Sequence, residues 1–344
     1  MPLWTDLMEP YEATGIARAE QYLLEQRNGT LARWLPNVYV DSDHVKFYSS
    51  ANGLVDEARY REFNAPPEIG KSGPVKSGLI ELPAISRNEP IDEATQKALR
   101  NMSADQMKKS VTNAIRRTVQ SISDRQERTR GVLIDKGRVL VNQDNNFLID
   151  DDFGRDPALT VSAGTGKWWN DPAVDRLAAL SNWQDVYASF NSGNAPGTVL
   201  MDKTTFAALA GGNQFATLLP GGATRPAERQ TVISTVESQG LPTIVIYSRS
   251  TAAGKVLDPK KIYFLPDATN PDDPDGTDLG ATFWGTTVTA QSSEFNLQPG
   301  EMSGIVVGLF KEDRIPYTIE VQGDSIGEPV ARNANASMAV QVLP

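Results

Sequence analysis

Few residues in this chain are of types that could do chemistry, and their spacing fails the chemistry they suggest. The single histidine, His44, sits beside Asp41 and Asp43. A serine triad would have to use it as base, yet no G-x-S-x-G nucleophile elbow occurs. One histidine and no cysteine exclude multi-histidine metal centres, thiolate zinc sites, iron–sulfur clusters and disulfides. Gly164-Thr165-Gly166-Lys167 has part of the look of a phosphate-cradling loop. That pattern needs a glycine five residues before Gly166, where Val161 stands, and Ser or Thr after the lysine, where Trp168 stands. Asp272-Asp273-Pro274-Asp275-Gly276 is dense in carboxylates. Setting Gly276 as the obligatory glycine of a calcium loop puts Pro271 at the first ligand and Thr282 at the twelfth, and neither fits. The stretch reads as a solvated loop with at most weak affinity for a divalent cation. With 43 acidic residues, carboxylate pairs exist by chance and identify nothing. The expectation is no catalytic residue, no cofactor and no metal.

The remaining chemically suggestive feature is a basic helix. Ser103-Ala104-Asp105-Gln106 has the form of a capping box. Beyond it Met107, Val111, Ile115, Val119, Ile122 and Leu133 keep one stripe apolar, and Gly137 stands where a glycine would end the helix. A helix from Ser103 to Lys136 is roughly 50 Å long, more than a small domain needs, so it reads as a spine. It carries Lys108, Lys109, Arg116, Arg117, Arg125, Arg128, Arg130 and Lys136 against Asp105, Asp124, Glu127 and Asp135. Two readings stand: a solvated face laced with ion pairs, or a face turned to nucleic acid or an acidic partner. No aromatic residue lies on the helix, so contact with nucleic acid would be to phosphates.

The elements around the spine must position it. A chain of 344 residues is long enough for two domains. Net charge −10 argues against a protein whose whole surface grips nucleic acid. The first twenty residues hold Asp6, Glu9, Glu12 and Glu20 and no apolar stretch, so they do not read as a secretory signal. The longest apolar run, Ile305–Phe310, is too short to cross a bilayer. The chain is therefore expected to be made and kept in the cytoplasm. Residues 1–40 offer a helix over Ala13–Arg27, then Leu31, Trp34, Leu35 and Val38, too few for a core and expected to bury elsewhere, on a neighbour for instance. Residues 41–90 read as a long two-stranded excursion with a Pro/Gly tip at Pro66–Pro74. Pro90 and Asp92 open a short helix to Leu99. A hairpin flanks residues 142–146. An α/β region follows, with a helix capped at Asp171-Pro172, a strand at Thr198–Met201, a cap at Asp202, a helix at Pro226–Gln239, and strands at 244–247, 262–265, 282–287, 305–310, 317–321 and 338–343.

The order of these parts resembles the lambda-type major capsid family of tailed bacteriophages, with the HK97 fold. The resemblance rests on Leu79-Ile80-Glu81-Leu82-Pro83, Ile91-Asp92-Glu93-Ala94, Ser123–Arg130 running into Gly131-Val132-Leu133 and Gly137-Arg138-Val139, and Trp168-Trp169-Asn170-Asp171-Pro172. Further on come Ala195–Met201, Ile262–Asp267, Thr282–Thr287 and the closing Val340–Pro344. It implies an α+β chain divided into an N-arm (1–40), an extended E-loop (41–90), a P-domain with the spine (91–165) and mainly an α/β A-domain (166–300). The strands of 301–344 would be shared between A- and P-domains. It implies a self-assembling subunit of pentamers and hexamers in an icosahedral head around double-stranded DNA. Portal and scaffold proteins, and in some heads a decoration protein, are the implied partners, with weak non-specific DNA contact and no membrane. Assembly in the host bacterial cytoplasm and a final place in the virion follow. Pro67, Gly70, Lys71, Gly73, Pro74 and Lys76 would form the intersubunit loop, and Lys108, Arg116, Arg117, Arg125 and Arg128 an inward basic face. The competing readings are an α/β enzyme using carboxylates or a nucleotide, and a tail or other virion component.

Overall fold

A computed structural model describes residues 3–27, 29–49, 76–91, 104–142, 148–218, 224–225, 227–311 and 318–344. Its organising element is the spine helix, Ala104–Lys136. Gly137 ends it at φ +67°, donating its N–H to the Leu133 carbonyl at 2.7 Å, as expected of a left-handed glycine cap. Ser103, the expected cap, lies outside the described residues, as do Asp92–Leu99 of the expected short helix; Pro90 belongs to a strand.

The first sheet lies under the spine. Its long member is β17 (Ile319–Ala331), flanked along its first half by β16 (Val306–Lys311) and β4 (Ala84–Ile91), both antiparallel. Its second half pairs with β15 (Gly280–Trp284), which carries β1 (Asn37–Tyr39) in parallel on its far side. Val111, Ile115, Val119 and Ile122 bury against Ile91, Val307, Leu309 and Val321 of this sheet and against Met8, Ala13, Ala17 and Leu24 at the N-terminal end. The stripe thus packs as its spacing predicts. The N-terminal helix (Pro10–Glu25) covers the same core.

Strand β17 runs well past the expected Tyr317–Val321. The extension holds Gly323, Gly327 and Pro329, which depress strand propensity. Tertiary packing demands them. A Cβ on Gly323 would lie 2.5 Å from the Thr118 methyl carbon, so the glycine lets the helix approach. Pro329 sits where β15 is the partner strand and β4 and β16 have already left the register.

The second sheet has the order β11 (Thr243–Ile246), β8 (Thr198–Met201), β14 (Lys261–Leu265), β18 (Met338–Gln341), β7 (Thr160–Ser162). Both faces of its three inner strands are covered, so β8, β14 and β18 are largely apolar, buried runs. Leu200, Tyr263, Leu265 and Ala339 face the spine's Leu133 and Ile134. Their alternates Val199, Met201, Ile262, Phe264, Met338 and Val340 face the helices Arg176–Phe190, Lys203–Ala210 and Arg229–Ser238. Four two-stranded hairpins complete the described strands: β2 (His44–Ser49) with β3 (Lys76–Glu81), β5 (Arg138–Asn142) with β6 (Leu148–Asp152), β9 (Thr217–Leu218) with β10 (Thr224–Arg225), and β12 (Ser250–Thr251) with β13 (Gly254–Lys255).

Three local expectations are corrected. Leu31, Trp34 and Leu35 need no neighbour, because they bury at 0–1 % exposure in this chain's own core between spine and sheets. The helix expected from Asp171 starts at Arg176, with the Asp175 carboxylate accepting from the Ala178 N–H at 3.1 Å. Asp171 caps only a turn, accepting from the Ala173 N–H at 2.9 Å. The helix expected from Pro226 starts at Arg229.

Candidate assembly surfaces and their internal bracing

Of the expected intersubunit loop, Pro67, Gly70, Lys71, Gly73 and Pro74 lie outside the described residues. Lys76 opens β3, opposite Ser49. What the structure fixes is the root of the excursion. Two strands are paired from His44↔Glu81 to Ser49↔Lys76, with Val45, Ile80 and Leu82 buried at the base. Leu79 stands 62 % exposed. The hairpin root borders a groove of about 940 Å³ whose other walls are the β5–β6 hairpin and the segment Thr286–Gln291. Leu148 and Val288, also exposed, stand on those walls. His44 is a surface residue, its Nδ1 2.5 Å from the Asp43 carboxylate.

Several of the spine's basic residues are engaged within the chain. Lys108 meets Glu12 at 2.6 Å and Arg116 meets Glu20 at 3.3 Å, both on the N-terminal helix. Arg117 meets Glu89 of β4 at 3.0 Å. Arg128 donates to Thr251 Oγ1 at 2.5 Å and to the Gly254 carbonyl at 2.9 Å, clasping the β12–β13 hairpin. Arg125 lines a cavity described below, and burial with the nearby Arg128 charge lowers its pKa. Of the two readings the helix allowed, ion-paired bracing accounts for Lys108, Arg116 and Arg117. These pairs are half in solvent, so each contributes at most ~1 kcal/mol.

Arg130 does something the sequence reading missed. It is 1 % exposed and sits among the N-terminal helix, β1, β15 and the spine. Its guanidinium donates to Thr282 Oγ1 at 2.8 Å and Asn37 Oδ1 at 2.6 Å, and lies 3.5 Å from Glu25 and 3.4 Å from Glu127. Asn37 donates its amide to Glu25 and accepts from Trp284 Nε1 at 2.7 Å. Glu127 accepts from the Leu31 N–H at 2.8 Å and the Tyr247 hydroxyl at 2.7 Å, with Arg249 at 3.4 Å. Burial pushes the Glu25 carboxyl up, and Arg130 beside it pulls the other way. One network therefore ties the stretch from Glu25 to Asn37 to the spine, to β15 and to Tyr247, the residue after β11. A signal existed: from Ile122 the four-residue spacing continues to Gln126 and Arg130, so two polar residues fall on the buried stripe.

The tempting chemistry resolves into structure. Gly164 and Gly166 take φ +80° and +79° in a turn ahead of Trp169, which is buried against Trp183. The acidic loop is a run of internal turns, with Asp273 accepting from the Asp275 N–H at 3.0 Å and Gln26 reaching Asn270 and Asp272. Among the described residues no group of three or more His, Cys, Asp or Glu could hold a metal ion, and no helix is long and apolar enough to cross a membrane.

Known proteins give the same picture. No curated protein sequence matches this chain. Among solved structures it is similar to a prophage protein of E. coli CFT073 described as a capsid protein, with a TM-score of 0.63 at 13 % identity over 96 % of this chain and 98 % of that one. A phage-related protein of Bordetella bronchiseptica RB50 follows at 0.60, 11 % identity, 96 % and 95 %. The capsid of a native GTA particle gives 0.50 at 10 % identity, over 92 % and 90 %. These likenesses identify the HK97-type α+β fold. The sequence profile of the family described as phage major capsid protein E matches residues 37–272. The chain belongs to that family: it is a structural subunit of a phage capsid, not an enzyme.

Proposed function

We propose that this subunit closes into pentamers and hexamers of an icosahedral head around double-stranded DNA. The observation that carries the reading is the β2–β3 hairpin. An isolated two-stranded ribbon is marginal in water, and beyond its buried base this one leaves Leu79 exposed above a groove. Such an excursion gains most by lying on an adjacent copy. On this reading the E-loop (41–90) is rooted in the paired strands β2 and β3, the P-domain (91–165) centres on the spine, and the A-domain (166–300) centres on the second sheet with its helices. The strands after residue 300 then serve both, β16 and β17 in the first sheet and β18 in the second.

Portal and scaffold proteins, and a decoration protein on the outside, are the proposed partners, with assembly in the host cytoplasm before the subunit takes its place in the virion. Contact with packaged DNA is weak and sequence-independent. Net charge −10 and the in-chain pairing of Lys108, Arg116 and Arg117 support that. Electron microscopy of the expressed protein with its scaffold tests the proposal: closed shells bear it out, whereas tubes, rings or discrete small oligomers refute it.

A further inference from the structure

A cavity of about 240 Å³ lies between the spine (Arg125, Gln126, Thr129), residues Pro83–Ser86, the β5–β6 hairpin (Val139, Val141, Ile149) and β17 (Gly327, Glu328). Its lining contains two fully buried polar side chains. Glu328 is 0 % exposed with the Asp151 carboxyl as its side-chain partner, and Gln126 is 0 % exposed with neither end of its amide partnered. Buried polar atoms without partners are rare and costly. Gln126 brings two of them to the cavity that Glu328 also lines.

The charged groups around Glu328 come from three elements. Asp151 faces it from β6, with Asp150 next in sequence and held by Arg138 at 2.9 Å. Arg125 lines the same cavity from the spine, with Arg128 beyond it. Pro83–Ser86 and the facing part of β15 contribute no titratable group. Burial, and next the charge of Asp151, push the Glu328 carboxyl up to about 9. Burial pushes Asp151 up as well. Two carboxyls facing each other where one is fully buried cannot both ionise cheaply, so they hold a proton between them at neutral pH.

We propose that the Glu328–Asp151 pair is a proton-held latch that keeps the β5–β6 hairpin closed on β17, and that loss of the proton draws Arg125 across the cavity to Glu328 and frees the hairpin. The proton leaves to solvent as hydroxide concentration rises, and the charge it uncovers has a cation on the opposite wall. Ile149, Asp150 and Asp151 of this hairpin also wall the groove beside Leu79–Pro83. A shift of the hairpin is therefore felt at the root of the β2–β3 excursion.

The test uses the full-length soluble subunit. Hydrogen exchange of the peptide spanning 138–152, corrected for intrinsic base catalysis, is followed from pH 6 to 10 in wild type, Glu328→Gln, Asp151→Asn and Arg125→Gln. Wild type should lose about tenfold in protection near pH 9. Glu328→Gln, which cannot ionise, should stay protected throughout, and Arg125→Gln should open at higher pH. Infrared spectra should show a protonated carboxyl band at neutral pH that Glu328→Gln lacks. If Glu328→Gln does not fold, Asp151→Asn should remove the alkaline opening step. Parallel exchange profiles for wild type and the folded variants, or no protonated carboxyl band at neutral pH, overturn the proposal.

Discussion

Arg130→Met isolates the bracing network, because methionine fills much the same space and brings neither charge nor donors. The change strips donors from Thr282 and Asn37, now 2.8 and 2.6 Å away, and takes the cation from Glu25 and one of two from Glu127. Glu127 keeps Tyr247, the Leu31 N–H and Arg249. Glu25, 4 % exposed, keeps the Asn37 amide alone among its side-chain partners. Removing one partner from a buried pair costs ~3–5 kcal/mol, mostly through the charge left behind. At roughly 2 °C per kcal/mol for a chain this size, the melting temperature should fall by ~6–10 °C. Urea unfolding of the unassembled subunit measures the loss directly. The charge argument makes a second demand. Adding Glu25→Gln to Arg130→Met should restore ~1–3 kcal/mol, since a neutral amide tolerates burial better than an orphan carboxylate. A loss below ~1 kcal/mol, or a double variant no more stable than Arg130→Met, would refute the reasoning.

Four further outcomes are expected. Ile115→Ala, at a fully buried site between spine and sheet, should cost ~2–5 kcal/mol in the same assay; a cost below ~0.5 kcal/mol contradicts the packing. Gly323→Val should cost ~1–3 kcal/mol by pushing on the Thr118 methyl, and Thr118→Ala should relieve it. Deleting Pro67–Pro74 should leave a folded, soluble subunit that forms no closed shells in electron micrographs. In a salt-titrated gel shift, isolated subunits should bind duplex DNA weakly at physiological salt with no sequence preference, and Arg116→Glu with Arg117→Glu should disturb assembly more than that affinity.

The spine and the second sheet were legible because local rules suffice for them. The apolar stripe from Val111 to Ile122, the stop at Gly137 and the short apolar runs at 198–201 and 262–265 need only their own neighbours to be read. The length of β17 was not, because Gly323 and Gly327 oppose a strand locally and are explained only by what packs on them, the helix at Gly323 and the Phe283 carbonyl of β15 with Gln126 of the helix at Gly327. Asp171-Pro172 drew the helix start four residues early, since an aspartate before proline and Asp175 both carry a capping carboxylate. Arg130 reads from the sequence as one of the helix's surface charges under either reading. Its partners Glu25, Asn37 and Thr282 are remote in sequence, so only the fold could bring them to it. Asp151 and Glu328 were invisible for the same reason.

Strand β18 occupies an interior seat of its sheet, between β14 and β7, although every other strand of that sheet is made before it. During synthesis β7 therefore waits some 175 residues for its partner, and β14 keeps an open edge until residues 338–341 leave the ribosome. A ribosome that stalls or a message that breaks before that point yields a chain with a gap in the middle of a sheet rather than a missing fringe. Such a chain cannot pass for a finished subunit, and exposed strand edges of this kind invite aggregation or proteolysis. The topology thus screens incomplete copies out before they can be counted into a lattice of many identical positions, where one defective tile would weaken all its neighbours.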